Sequence, residues 1–221
     1  MTHGVFVTGT DTGVGKTWFA GLLLKRLLAQ GLRAAGFKPF CCGDREDALC
    51  LASAGAEGDV NRVNPFWFQA PVSPLAAAML ENRPPDLSLV RQAFQHLASQ
   101  YDVVVAEGAG GWLVPISQDY TMADLAMEFA LPVVVVVANR LGCLNHTLLT
   151  LADLRRRGAT CLGLVVNEIA PPSDDPARTT NPALLDMLAG VPVIARLPYR
   201  DPEGAWISPG LLAALGLREN R

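Results

Sequence analysis

The chain has 221 residues, half of them hydrophobic and 18% charged, with a formal net charge of −3. That length and apolar content suit one well-buried domain, and the absence of a basic tract argues against nucleic acid as a partner. The most apolar run, residues 132–138, is far too short to span a bilayer, so no membrane association is expected. Five cysteines, Cys41, Cys42, Cys50, Cys143 and Cys161, include no CxxC pair, and no signal peptide precedes a first strand read over residues 1–8. The thiols are therefore expected to be reduced, in a cytoplasmic protein.

Residues 5–8 form a short apolar run that enters a loop with Gly9, Gly13 and Gly15, then Lys16, Thr17 and a helix-like stretch over 18–30. Strand, glycine loop, Gly-Lys-Thr and helix in that order make a phosphate-binding P-loop. Small residues let backbone N–H groups approach phosphate oxygens, and the helix N-terminus adds about half a positive charge. Lys16 is then expected to reach the outer phosphates and the Thr17 hydroxyl to ligate Mg²⁺. The spacing departs from the usual one: five residues separate Gly9 from Gly15, and Thr10 stands where a glycine is expected.

Phe19, Leu22, Leu23 and Leu27 recur at helical spacing, and Gly31 closes that helix. Residues 34–37 read as a second strand ending in Lys38-Pro39, 41–44 as a loop, and 45–54 as a short helix. Residues 55–70 show little periodicity, with a turn at Asn64-Pro65. Ser73-Pro74 opens a helix to about Glu81, and a clearer helix spans 86–100. Residues 103–106 are an apolar run ending in Glu107 and a loop, Gly108, Ala109, Gly110, Gly111. Helices are expected over 121–129, 145–157, 182–188 and 209–215, and strands over 132–138, 161–166 and 191–195. The alternation, with central runs apolar on both faces, predicts an α/β fold. The expected architecture is a P-loop NTPase-like, mostly parallel sheet with helices on both faces, in a single domain over 1–221.

In such sheets ligands lie beyond the carboxyl ends of the strands. The residues there are Thr8, Lys38, Glu107, Asn139 and Asn167. A strand must stop somewhere polar, which accounts for Asn139 as well as any role does. Lys38 stands out as one of three lysines, and Glu107 leads into a glycine-rich loop. Glu107 occupies the place of the second-strand acid that holds Mg²⁺ in P-loop enzymes. Asp47 is either a further Mg²⁺ ligand or an acid favoured in a first helical turn, and the residues alone leave both readings open.

The segments GTDTGVGKT, GFKPF, REDAL, VNPFWFQAPVSP, AEGAGGW, LGCLNH, VVNEIAPP and LPYRDPEGA follow one another in this order. Together they resemble the dethiobiotin synthetase family. The resemblance implies ATP- and Mg²⁺-dependent carboxylation of 7,8-diaminononanoate with CO₂ and closure of a cyclic urea, with release of ADP and phosphate, in biotin biosynthesis. It implies that Gly13, Val14, Gly15, Lys16 and Thr17 bind the ATP phosphates, and that Gly108, Ala109 and Gly110 also belong to the ATP site. Thr17, Asp47 and Glu107 would hold Mg²⁺, and Lys16 and Lys38 would be catalytic. Asn167, Glu168, Pro198, Tyr199, Arg200 and Glu203 match the nucleoside side. Cys42 and Ser73 match substrate positions. Gly142, Cys143 and Asn145 match a helix N-terminus that receives the substrate carboxylate across a homodimer interface. Two positions depart from the family pattern: Gly13 replaces a frequent Glu, and Cys42, a poorer hydrogen-bond donor, replaces Ser or Thr.

Two other classes share part of these motifs. A nucleotide-switch protein of the deviant-Walker group would carry a signature lysine where Asp11 stands. A carboxylate-activating ATPase with another substrate would share Lys16, Thr17 and Glu107 without needing APVSP or LGCLNH. A cysteine-nucleophile hydrolase lacks a placed histidine, since His146 reads as part of its helix start.

Overall fold

The computed structural model describes residues 4–215, so the start of the strand read over 1–8 lies outside the described residues. In chain order the elements are β1 (Gly4–Gly9), α1 (Lys16–Ala29), β2 (Ala34–Phe37), β3 (Phe40–Cys42), α2 (Glu46–Ala54) and α3 (Val60–Val63). There follow β4 (Phe66–Phe68), α4 (Pro74–Leu80), α5 (Leu87–Gln100), β5 (Val103–Glu107), β6 (Pro115–Ser117), β7 (Tyr120–Thr121) and α6 (Met122–Phe129). The chain continues with β8 (Val133–Ala138), α7 (Cys143–Arg156), β9 (Cys161–Asn167), α8 (Pro176–Leu188), β10 (Val193–Leu197), β11 (Trp206–Ile207) and α9 (Pro209–Ala214).

Seven strands form the main sheet in the order β11-β10-β9-β8-β1-β5-β2, parallel except for β11 at one edge. Runs such as VVVVVA in β8 have no polar face to give to water, so the sheet is covered on both sides. On one face, Phe19, Leu23 and Leu27 of α1 and Leu51 of α2 pack with Val5, Val7, Val105 and Val134. On the other, Phe94, Phe129 and Leu151 from α5, α6 and α7 pack with Phe6, Phe37, Val104 and Val135. Each such large side chain contributes about 1.5–3 kcal/mol by leaving water. Among the described residues no helix is long and apolar enough to cross a membrane, and all five cysteines are free thiols.

Several expected boundaries move, each for a local reason. Residues 41–44 are not wholly loop: β3 pairs in parallel with β4, using the Phe-x-Phe alternation of Phe66 and Phe68. The stretch 55–70 thus holds a strand and the one-turn α3, both too short to show a period. The ribbon β6–β7 and the edge strand β11 are also too short to announce themselves. Helix α7 begins at Cys143 rather than Asn145, and β10 runs two residues later than 191–195. Helix α8 starts at Pro176, with Pro182 inside it. A proline there cannot donate to the carbonyl of Arg178. That carbonyl instead accepts the side-chain amide of Asn139 at 2.9 Å, so the helix passes through the proline with its acceptor satisfied.

Candidate active site

The strand order β8-β1-β5-β2 sets three loop starts side by side at the carboxyl edge of the sheet. The P-loop follows β1, Glu107 ends β5, and Lys38 follows β2. Lys38 precedes a proline, which favours extended backbone. Its N–H donates to the Val63 carbonyl at 2.8 Å, and its own carbonyl accepts the Asn64 amide at 2.8 Å. Gripped on both sides, it sends its side chain under the P-loop. The Lys38 ammonium lies 2.6 Å from Asp47 Oδ2 and 2.6 Å from Glu107 Oε1. Lys38 is 3% exposed and Glu107 fully buried. Burial works against the Lys38 charge, but the Glu107 and Asp47 carboxylates outweigh it and hold its pKa above the usual lysine range. Burial pushes the Glu107 carboxyl upward, with Lys38 opposing. Asp47 sits low despite its burial, because Lys38 and Thr17 bind its charged form.

The Thr17 hydroxyl lies 2.6 Å from Asp47 Oδ1 and 2.9 Å from Glu107 Oε1. One hydroxyl proton can serve only one of those acceptors at a time. Glu107 Oε2, moreover, is buried with no hydrogen-bond partner. Three hard oxygens converging with acceptor capacity to spare fit a divalent cation. Two carboxylates and a hydroxyl are a donor set of the kind that Mg²⁺ takes, with water and phosphate oxygens completing its shell.

Gly15 caps α1 in a left-handed conformation, φ 94°, and supplies no side-chain cap, so the first N–H groups of the helix are open to an anion. Lys16 Nζ donates to the Asp11 carbonyl at 3.1 Å. Burial, with the nearby Lys38 charge, lowers its pKa to about 8; an arriving phosphate would raise it again. Gly13 is held at φ 72° with nothing within 4 Å of a would-be Cβ. The glycine therefore relieves the backbone rather than crowding.

A cavity of about 600 Å³ joins these groups. Gly13, Gly15, Lys16, Thr17, Lys38, Asp47, Glu107, Ala109 and Gly110 line it, with Cys42 and Ser73 on the same wall. Gly108 contributes its carbonyl, 3.4 Å from Lys38 Nζ, and Val14 is buried beneath the loop. Thr12, Cys41, Asp44, Glu46, Pro71, Val72, Pro74 and Val114 also line the cavity and were not singled out from sequence. The signal for Asp44 and Glu46 was their closeness to Asp47, and for Pro71 and Val72 the APVSP segment.

The remaining expected residues lie off this cavity. Asn167, at the end of β9, donates to the Val14 carbonyl at 2.9 Å. Glu168 is engaged by Arg178 at 2.6 Å and by Asn139. Pro198, Tyr199, Arg200 and Glu203 form the turn after β10, where the Arg200 guanidinium stacks over the Tyr199 ring and Asp201 caps Glu203. Gly142, Cys143 and Asn145 stand at the α7 N-terminus, which has no side-chain cap. His146 lines a second cavity of about 490 Å³ with Trp112, Leu113, Leu149 and Asp153.

A family model described as an AAA domain matches residues 3–204. The ATP-dependent dethiobiotin synthetase BioD of Anaeromyxobacter sp. (strain K) is 42% identical over 221 residues, covering 98% of each chain. The protein of that name from Akkermansia muciniphila is 41% identical, over 86% of this chain and 90% of its own length. BioD 1 of Escherichia coli (strain K12) is 36% identical over 96% of this chain and all of its own. Among solved structures, the septum site-determining protein MinD of Pyrococcus horikoshii, complexed with Mg-ADP, superposes with a TM-score of 0.59 at 17% identity. It covers 91% of this chain and 83% of its own. A ParA family ATPase from Chlorobium tepidum gives 0.53 at 13% identity, over 90% and 85%. At those identities the two structures speak for the fold alone, whereas the sequence relatives span nearly the whole chain. The motifs at the sheet edge and the relatives along its full length agree: this chain belongs to the ATP-dependent dethiobiotin synthetase family.

Proposed function

We propose that the 600 Å³ cavity is where ATP, CO₂ and 7,8-diaminononanoate meet, and that the chain closes the cyclic urea of dethiobiotin there while ATP becomes ADP and phosphate. The observation that carries this reading is Lys38. It is buried, charged and held 2.6 Å from each of two carboxylates, between the P-loop and the wall bearing Cys42 and Ser73.

A substrate amine first takes up CO₂ as a carbamate. A carbamate oxygen then attacks the γ-phosphorus, and the bond to ADP breaks. The second amine attacks the carbonyl carbon of the resulting carbamic–phosphoric anhydride, loses its proton and expels phosphate as the ring closes. No side-chain nucleophile is needed, so the protein's work is positioning and charge. Lys38, with its pKa held high by two carboxylates, is a fixed cation rather than a base. It lowers the repulsion between carbamate and γ-phosphate and stabilises charge that builds during transfer. Lys16 and the open N–H groups of α1 hold the outer phosphates. Thr17, Asp47 and Glu107 would hold Mg²⁺, which when bound neutralises phosphate charge. Ser73 and Cys42 line the diamine.

The nucleoside is assigned to Asn167, Glu168, Pro198, Tyr199, Arg200 and Glu203, beyond the far side of the P-loop. A cytoplasmic homodimer completes the reading. Gly142, Cys143 and Asn145 lie off the cavity of their own chain, and Leu141 and Leu149 beside them are 84% and 63% exposed. An uncapped helix N-terminus flanked by apolar surface is suited to meet a second copy and its bound carboxylate. The test is incubation with ATP, Mg²⁺, bicarbonate and 7,8-diaminononanoate, followed by mass spectrometry. A cyclic urea formed one-for-one with ADP is expected; ATP hydrolysis with no cyclic urea would sink the reading.

A further inference from the structure

Asn167 ends β9, and its backbone is fixed in the sheet: its carbonyl accepts the Asn139 N–H at 2.8 Å, and it registers with Leu197 of β10. Its side chain is 6% exposed and reaches 153 residues back along the chain to the crest of the phosphate loop. There Nδ2 donates to the Val14 carbonyl at 2.9 Å. A carbonyl can only accept, so the orientation of the amide is settled by this bond. Gly15 follows Val14 directly, and a Cβ on Gly15 would overlap Asn167 Nδ2. The amide therefore occupies the space that glycine leaves, against the residue that caps α1 at φ 94°.

We infer that Asn167 is a positioning residue for the phosphate loop. It clamps the Val14–Gly15 peptide so that the loop and the α1 N-terminus are preformed for the triphosphate. This reaches beyond an assignment to the nucleoside, and it rests on the reading of the loop as the ATP phosphate site. The two roles separate with a ligand that has phosphates and no base or sugar. Inorganic tripolyphosphate feels the loop and cannot feel nucleoside recognition.

The experiment measures binding of ATP and of inorganic tripolyphosphate by calorimetry, in Mg²⁺-containing buffer. It uses the parent, Lys16→Ala as the control for binding at the loop, and two variants of the clamp. Asn167→Ala removes the donor. Asn167→Asp keeps the volume and sets an acceptor against the Val14 carbonyl, so it reports even if the smaller residue unsettles the strand. Loss of one such hydrogen bond should weaken tripolyphosphate about five- to tenfold in either variant. Under turnover, KM for ATP should rise by a similar factor while KM for the diamine stays within about twofold. Damage to folding alone would lower the active fraction and kcat and leave both KM values in place. Tripolyphosphate affinity equal to the parent's in both variants, with ATP affinity reduced, overturns the clamp and leaves a nucleoside contact. Failure of the parent to bind tripolyphosphate in a Lys16-dependent way overturns the clamp together with the phosphate-site reading beneath it.

Discussion

Replacing Lys38 by methionine tests two consequences of its burial at once. Methionine leaves the fully buried Glu107 carboxylate without its cation, and the half-exposed Asp47 without its closest one. Breaking one partner out of a buried pair typically costs about 3–5 kcal/mol. Loss of a preorganised electrostatic group at the reacting centre costs roughly 10²–10³ in rate. The two losses are separable. Adding Glu107→Gln to Lys38→Met removes the stranded charge and should recover most of the lost stability. It should recover none of the rate. Urea unfolding at neutral pH and cyclic-urea formation per folded molecule are the measurements. A rate for Lys38→Met within about threefold of the parent, under 1 kcal/mol of barrier, refutes the electrostatic role. Unfolding free energies equal in parent and single variant refute the buried pair.

Lys16→Ala should nearly abolish turnover yet leave unfolding within about 1 kcal/mol of the parent, because Lys16 donates only to its own loop carbonyl; a folded variant with parental turnover contradicts the P-loop assignment. Glu107→Gln should raise the Mg²⁺ concentration for half-maximal rate about tenfold or more, and superimposable Mg²⁺ titrations would remove Glu107 from the metal. Asn145→Asp places a carboxylate where the substrate's is expected. KM for the diamine should rise about tenfold with KM for ATP unmoved, and sedimentation should show a homodimer; a fully active monomer contradicts the shared site. Arg157 bonds Asp124 at 2.7 Å and Asp153 at 2.6 Å, and despite burial these contacts help hold both carboxyls below their usual range. Arg157→Leu should therefore cost about 1–3 kcal/mol at pH 7. Depressed folded pKa values mean that this stabilisation is present above the unfolded value of about 4 and is lost as pH falls through the folded ones. The gap between parent and variant in urea unfolding should narrow by pH 3, and a gap independent of pH would point to packing instead.

Much of the site was legible because it is written at the ends of apolar runs. Lys16 and Thr17 follow β1, Lys38 follows β2, and Glu107 closes β5, and a parallel sheet aligns such ends on one edge. Asp47 was not legible from pattern. Its place in the first turn of α2 has an ordinary dipole explanation, and only the fold carries that turn to Thr17 and Lys38. The wall made by Cys41, Pro71 and Val72 escaped notice because it belongs to β3 and to a loop held across it, where three residues give no period. Proline at 182 misled for the opposite reason. It marks a helix start on local grounds, and the carbonyl it strands is served by Asn139, 39 residues away from Arg178 in sequence.

That last bond bears on how polar strand ends should be read. Lys38, Glu107, Asn139 and Asn167 share one signature in the sequence, a polar residue after a hydrophobic run. They differ in what remains of their hydrogen-bonding capacity once the chain is folded. Asn139 spends both ends of its amide within the protein: it donates to Glu168 and to the Arg178 carbonyl, and accepts from Asn181 at 3.0 Å. Both polar atoms of the side chain are engaged within the protein, and its work is to carry α8 past a proline. Glu107 has one oxygen in the Lys38 and Thr17 network and the other buried with no partner. An unpaired buried carboxylate oxygen costs free energy unless something else comes to it. Asn167 has its amide donor on the Val14 carbonyl. The Thr8 hydroxyl is also buried without a partner, and the structure gives no reason for it. Polarity at a strand end therefore does not by itself mark a ligand site: Asn139 is spent on the fold, Glu107 keeps an unpartnered oxygen, and Lys38, with its three donors on Asp47, Glu107 and Gly108, offers its charge rather than a free donor.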